Sequence, residues 1–106
     1  MGGVRKSQHD ECAPVTPGEI LKHEFLAGYG LTQAALARAL GISPNRIAEI
    51  VTNRRRITAD TALRLSLFFD TSPQFWQNLQ AHYDMKMARR ALSPDVVEKI
   101  VAQRVA

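Results

Sequence analysis

Apolar residues recur every three or four positions along most of this chain, and each such stretch follows a residue that can cap a helix. The clearest case lies between residues 31 and 56, where the pattern predicts two short helices joined by a tight turn. Thr32 caps the first helix, and Gly41 ends it because glycine readily takes the left-handed conformation that reverses the chain. Its inward stripe consists of Leu36, Ala37 and Leu40.

The second helix of this pair is predicted to have an apolar inner face and a polar outer face. Ser43 caps its free amides, and Pro44 fits the first helical position. On a helical wheel the inward residues are Ile47, Ile50 and Val51, the outward ones are Asn45, Glu49 and Thr52, and Arg46 and Ala48 lie on the flanks. The residues that follow at once are Asn53, Arg54, Arg55 and Arg56. This arrangement favours a helix-turn-helix, which lays its second helix in the major groove of DNA, over an ordinary helix pair with a solvated charge run.

Further helix starts flank this pair. A capping box at residues 16–19 opens the first helix, which closes at Gly28 or Gly30. Thr58 caps the fourth helix, and Ser72 starts a fifth that is predicted to run to about Met87. The apolar band of the fifth helix consists of Phe75, Trp76, Leu79, Tyr83 and Met87. Core packing is the expected role of this band, although part of it can bury against a second copy.

The chain is therefore predicted to be all-α and to contain one domain. Residues 1–13 lack periodicity and are expected to form a flexible tail, whereas residues 14–90 form the helical domain. Residues 91–106 are predicted to form a short amphipathic helix that needs a partner surface on the domain, on a second subunit or on another protein. Its apolar residues Val97, Ile100 and Val101 join Phe75, Trp76, Leu79 and Tyr83 as the candidate dimer interface.

Composition narrows the possible functions. Lys and Arg outnumber Asp and Glu by 14 to 10, for a net charge of +4, which favours a polyanionic partner such as nucleic acid. No catalytic constellation is evident, no cofactor is expected, and His9 with the lone Cys12 is too small a set for a zinc site. A lone cysteine excludes an internal disulfide, and no apolar run has membrane-spanning length, so a cytoplasmic protein without a membrane partner is expected.

Several segments together resemble the HigA-type antitoxins, also described as VapI-like, within the lambda-repressor-like (XRE) helix-turn-helix group. The segments that carry the resemblance are residues 16–21, 30–33, 36–37, 40–42, 57–58, 60–65, 72–80 and 83–84. The opening Pro-Gly-Glu-Ile-Leu and the later Phe-Trp with Asn-Leu-Gln are more specific than the helix-turn-helix itself. The resemblance covers about residues 14–88 and implies a five-helix DNA-binding domain, here with an extra C-terminal helix.

The resemblance also implies a function. A member of this family is expected to be a homodimeric repressor that binds a palindromic operator in its own toxin–antitoxin operon. It is also expected to neutralise a HigB-type toxin, a RelE-like ribonuclease that cleaves mRNA. A stand-alone helix-turn-helix regulator without a toxin, and a protein-interaction module that no longer binds DNA, remain alternatives.

The positions expected to contact DNA follow from the pattern and the resemblance together. They are Gln33, Ser43, Pro44, Asn45, Arg46, Glu49, Asn53, Arg54, Arg55 and Arg56. Asn45 can pair with adenine and Arg46 with guanine, whereas Glu49 can either accept from cytosine N4 or neutralise a neighbouring arginine. Asn53-Arg54 replaces the family's usual Asn-Gly, so the geometry of this loop is left open.

Overall fold

The computed structural model describes residues 14–105, and within them the chain forms six helices and no strand. Helix α1 consists of three consecutive segments, Pro17–Ile20, Leu21–Leu26 with π-type hydrogen bonding, and Ala27–Tyr29. The others are α2 Gln33–Leu40, α3 Pro44–Val51, α4 Ala59–Phe69, α5 Pro73–Ala91 and α6 Pro94–Ala102. The predicted all-α fold and the order of its helices are confirmed. The predicted tail, residues 1–13 with His9 and Cys12, lies outside the described residues.

All six helices begin at a Ser or Thr whose hydroxyl accepts the amide hydrogen three residues on. These capping residues are Thr16, Thr32, Ser43, Thr58, Ser72 and Ser93. The hydroxyl satisfies one of the amides that a helix start leaves without a partner. The helix starts could therefore be predicted from the positions of these Ser and Thr residues. Helix ends were less predictable: α1 ends at Gly30, but α5 extends to Ala91, beyond the predicted end at Met87.

The core lies where α1, α2, α3, α4 and the first half of α5 meet. Leu21, Ile47, Leu65 and Trp76 are completely buried. Trp76 also donates from its indole Nε1 to Thr71 Oγ1 at 2.7 Å, so its polar group is satisfied. Trp76 was also a candidate dimer residue, but its side chain has 0% exposure and leaves no surface for a partner.

Helix α1 packs directly against the backbone of α3 at Gly18, which is buried. A Cβ atom at this position would lie 2.9 Å from both Ile50 C and Val51 Cα, and closer still to the Ile50 carbonyl oxygen. Only glycine permits this approach. The contact fixes α3 against the rest of the domain while leaving its opposite face open.

The C-terminal helix α6 does not pack into this core. None of residues 92–105 is buried, and Ile100 is 59% exposed. In this structure the helix therefore does not use the domain as its partner surface. The predicted apolar band of α5 is also shorter than expected, because Met87 is 41% exposed.

Two further observations concern the described residues as a set. None of their helices is both long and apolar enough to cross a membrane. Their His, Asp and Glu side chains form no group of three that could hold a metal ion.

Candidate nucleic-acid interface

The outward face of α3 is uncovered. Ile47, Ile50 and Val51 are buried on the inner side, whereas Ser43, Pro44, Asn45 and Thr52 are exposed. Ser43 Oγ accepts from the Arg46 amide at 3.1 Å and so fixes the start of the helix. The predicted two-faced helix is confirmed, and its polar side is free to meet another molecule.

The loop that follows α3, residues 53–56, is called the arginine loop below. Asn53 has a positive φ of 62°, which Asn tolerates better than most residues, and the Arg54 amide donates to Glu49 O at 2.7 Å. All four residues of the loop are exposed. The loop therefore presents three guanidinium groups beside the open face of α3.

Glu49 is tied to this loop. Its Oε1 pairs with Arg55 Nε at 2.8 Å, and its Oε2 accepts from Asn45 Nδ2 at 3.4 Å. Of the two roles considered for Glu49, neutralising a neighbouring arginine is the one that this geometry displays. The same contacts hold Asn45 and Arg55 on one surface.

Arg46, which was expected to pair with a guanine, is bound within the protein. Its Nη2 donates to Asp60 Oδ2 at 2.7 Å and to Thr61 Oγ1 at 2.8 Å, and its side chain is only 25% exposed. The buried Nε has no hydrogen-bond partner. In this conformation Arg46 joins α3 to α4, so the expected contact with a guanine would require its guanidinium to turn away from α4.

Asp60 is the centre of that junction, since Arg64 Nε also donates to its Oδ2 at 3.0 Å. The hydrogen bond from Arg46, followed by the one from Arg64, lowers the pKa of Asp60 below its usual value of 3.8. Arg64 Nη1 meanwhile donates to Leu40 O at 2.7 Å at the end of α2. Three helices are thus linked behind the open face of α3.

Helix α5 contributes residues that the sequence did not assign to this surface. Asn53 Nδ2 donates to Tyr83 Oη at 2.9 Å, and the buried Ile57 amide donates to Gln80 Oε1 at 2.8 Å. Arg56 Nη1 pairs with Asp84 Oδ2 at 2.8 Å. The positions 80, 83 and 84 share one face of a helix, which was the available clue, but nothing local indicated that this face meets the arginine loop.

The remaining candidate residues are dispersed. Gln33 is the first residue of α2 and is half-buried. Phe75, Leu79 and Tyr83 line one apolar groove between α1 and α5, whereas Val97, Ile100 and Val101 are exposed on α6. The structure thus divides the candidate dimer residues between two surfaces.

Comparisons with known proteins agree with this geometry. The helix-turn-helix family model matches residues 24–76. Virulence-associated protein I of Dichelobacter nodosus is 52% identical over 81 residues, covering 76% of this chain and 75% of the relative. Antitoxin HigA-1 of Vibrio cholerae is 39% identical over 72 residues, covering 68% of each chain.

A solved structure adds the fold. Antitoxin HigA of Pseudomonas aeruginosa, determined with the higBA promoter, is 43% identical with a TM-score of 0.73, over 88% of this chain and 96% of that one. The chain belongs to the HigA antitoxin family of helix-turn-helix proteins. As a HigA-family protein it is a DNA-binding antitoxin repressor, and the family is one of regulators and not an enzyme class.

Proposed function

We propose that this HigA-family protein represses its own toxin–antitoxin operon by inserting α3 into the major groove of the operator. The observation that carries the proposal is the open outer face of α3 beside the arginine loop. In the relative solved with the higBA promoter, the same fold is present together with DNA. A groove-sized helix with one polar face and adjacent cations is what major-groove binding requires.

The geometry supports distinct roles for the residues at this surface. Asn45, with a donor and an acceptor on an exposed amide, suits the N6 and N7 edge of adenine, and Glu49 suits cytosine N4 once Arg55 turns to a phosphate. Arg54, Arg55 and Arg56 provide phosphate contacts, which set affinity and register but carry little sequence information. The other proposed contacts are Gln33 at the start of α2, Ser43 and Pro44 at the start of α3, and Asn53 in the loop.

Arg46 has a different role in this proposal. Its guanidinium is held by Asp60 and Thr61 at hydrogen-bond distance, so it fixes the orientation of α3 instead of contacting a base. A guanine contact would require both of these bonds to break. Arg46 therefore acts on DNA binding through the position of α3.

Two copies are needed to bind a palindromic operator. The exposed apolar residues of α6, Val97, Ile100 and Val101, offer a surface for a second copy, and Phe75, Leu79 and Tyr83 offer another on α5. Repeated half-sites require the two α3 helices to lie about 34 Å apart, or one DNA turn. We propose a homodimer built on these surfaces.

The proposed protein partner is a HigB-type toxin, a RelE-like ribonuclease. Relatives named antitoxin HigA support this partner. Co-expression of this chain with the reading frame beside its gene, followed by copurification, tests the assignment. A pair that copurifies and binds the upstream promoter supports the full proposal. If this chain binds the promoter but the neighbouring protein does not copurify with it, the result indicates a stand-alone regulator.

Binding to DNA is tested by fluorescence anisotropy with the promoter duplex and a scrambled duplex. Asn45→Ala is expected to weaken promoter binding by about 1–3 kcal/mol and to reduce the preference over the scrambled duplex. Arg54→Gln is expected to weaken binding to both duplexes alike, because it removes a phosphate contact. Lys22→Gln, which removes the same charge from an exposed position on α1, is the control. No retention on the promoter at low salt would contradict DNA binding and favour a protein-interaction module.

A further inference from the structure

Asp84 contacts the arginine loop from outside the helix-turn-helix, directly at Arg56 and through Gln80 at the residue after the loop. Its Oδ2 pairs with Arg56 Nη1 at 2.8 Å, and its Oδ1 accepts from Gln80 Nε2 at 3.1 Å. The Oε1 atom of the same Gln80 side chain accepts a hydrogen bond from the buried Ile57 amide at 2.8 Å. A continuous chain of bonds therefore runs from α5 to the last arginine of the loop and to the residue that follows it.

Arg56 keeps most of its hydrogen-bond donors available for a phosphate in this arrangement. Its side chain is 64% exposed and that of Asp84 is 37% exposed, so the pair lies at the surface. One donor of the guanidinium is used by Asp84, whereas the group carries five N–H donors in all. Arg56 can therefore meet a phosphate from a fixed position, but with an anion already beside it.

We propose that Asp84 is a specificity-determining residue that acts on DNA through Arg56. The inference rests on the proposed DNA binding and names a residue that controls its selectivity. The carboxylate lowers the attraction of Arg56 for any phosphate, because two anions then compete for one cation. It also holds the guanidinium in place, which favours the operator complex, where the loop position is defined by the docked α3.

These two effects separate operator binding from sequence-independent binding. A scrambled duplex gains from every free cation and needs no defined loop position, since its binding is essentially electrostatic. In the operator complex Asp84 weakens the attraction between Arg56 and the phosphate. It also fixes the arginine loop, so the loop loses less conformational freedom on binding. Removing the carboxylate charge is therefore expected to help the scrambled duplex more than the operator.

The test compares Asp84→Asn with Asp70→Asn. Both variants lose one negative charge, but Asp70 lies at the far end of α4 from Asp60 and has a positive φ of 58°, which Asn tolerates. Binding is measured against an operator selected from a random duplex library with the wild-type protein, and against a scrambled duplex, over a range of salt concentrations. A second pair of measurements repeats Asp84→Asn in an Arg56→Gln background.

Asp84→Asn is expected to raise affinity for the scrambled duplex about three- to fivefold, the upper part of the range of a surface ion pair, and to change operator affinity less than about twofold. The salt slope for the scrambled duplex should steepen by up to about 0.9, equivalent to one phosphate. Asp70→Asn should have less than about a twofold effect on either duplex because salt screens distant charges. In the Arg56→Gln background, Asp84→Asn should leave scrambled-duplex affinity unchanged.

Three results would overturn the inference alone while leaving DNA binding intact. They are equal effects of the two Asp→Asn variants, equal gains on the operator and the scrambled duplex, and an effect that persists without Arg56. Failure of the wild-type protein to select any sequence would instead overturn the proposed function, and the inference with it.

Discussion

Replacing Gly18 with alanine is expected to destabilise the domain strongly, although alanine is the better helix former. Gly18 lies in the first turn of α1, where the backbone of α3 passes against it. The added Cβ would lie 2.9 Å from Ile50 C and Val51 Cα, inside the 3.0 Å below which real Cβ atoms are essentially never found. These neighbours are backbone atoms, so no side chain can rotate away to relieve the overlap.

The magnitude follows from the cost of overpacking a core. Added methylene-sized groups typically cost about 1–3 kcal/mol, and a backbone obstruction belongs at the upper end of that range. Two helices must separate to admit the methyl group, which also loosens contacts around the buried Ile50 and Leu21. A loss of about 3 kcal/mol corresponds to a fall in Tm of roughly 12–24 °C for a domain of this size.

Gly28→Ala is the matched control, because it makes the same change in the same helix. Nothing lies within 4 Å of a Cβ built at Gly28, so only helix propensity changes, and stability should rise by about 0.5 kcal/mol. Urea titration followed by circular dichroism measures both free energies of unfolding. If Gly18→Ala unfolds within about 0.5 kcal/mol of the wild type, the close approach of α1 to α3 is refuted.

Three further predictions concern hydrogen bonds behind the interface. Arg46→Ala is expected to lower the free energy of unfolding by about 1–2 kcal/mol in urea titration, since it removes hydrogen bonds to Asp60 and Thr61. An unchanged free energy of unfolding would contradict the link between α3 and α4. Gln80→Leu should cost about 1–3 kcal/mol because the buried Ile57 amide loses its acceptor, and a neutral result would contradict that bond. The lowered pKa of Asp60 stabilises the folded state above its unfolded value of about 3.8, so the stability advantage of the wild type over Asp60→Asn should be constant above about pH 5 and shrink below about pH 4. An advantage that persists into strong acid would refute the ionic origin of this contribution.

The helix starts were predictable because each depends on residues a few positions apart. Thr16 and Glu19 make the capping box, and Thr32 and Ser43 each cap through the amide three residues on. Inward faces followed for the same reason, since Leu36, Ala37 and Leu40 share a side of any regular helix. Such local rules are sufficient to predict the two-faced α3 from the sequence.

The partners of the charged residues were not predictable in this way. Arg46 and Asp60 are separated by 14 positions, and Asn53 and Tyr83 by 30, so their contacts depend on how the helices pack. Arg46 also lies on the flank of α3, from which its long side chain can reach either the solvent or α4. Only the packed structure decides between these directions, and it places the guanidinium on α4.

The arginine loop illustrates how a local substitution can be accommodated by distant packing. The positive φ falls at Asn53 and not at Arg54, so the turn does not need the glycine that the family resemblance implies at position 54. Asn53 is held in that conformation because its side-chain Nδ2 donates to Tyr83 Oη on α5. The backbone amide of Arg54 closes the turn by donating to Glu49 O. The chain therefore gains a cation at position 54 without backbone strain at that residue. It follows that Tyr83→Phe should weaken DNA binding through the shape of the loop, although the lost hydroxyl contacts no DNA in this proposal.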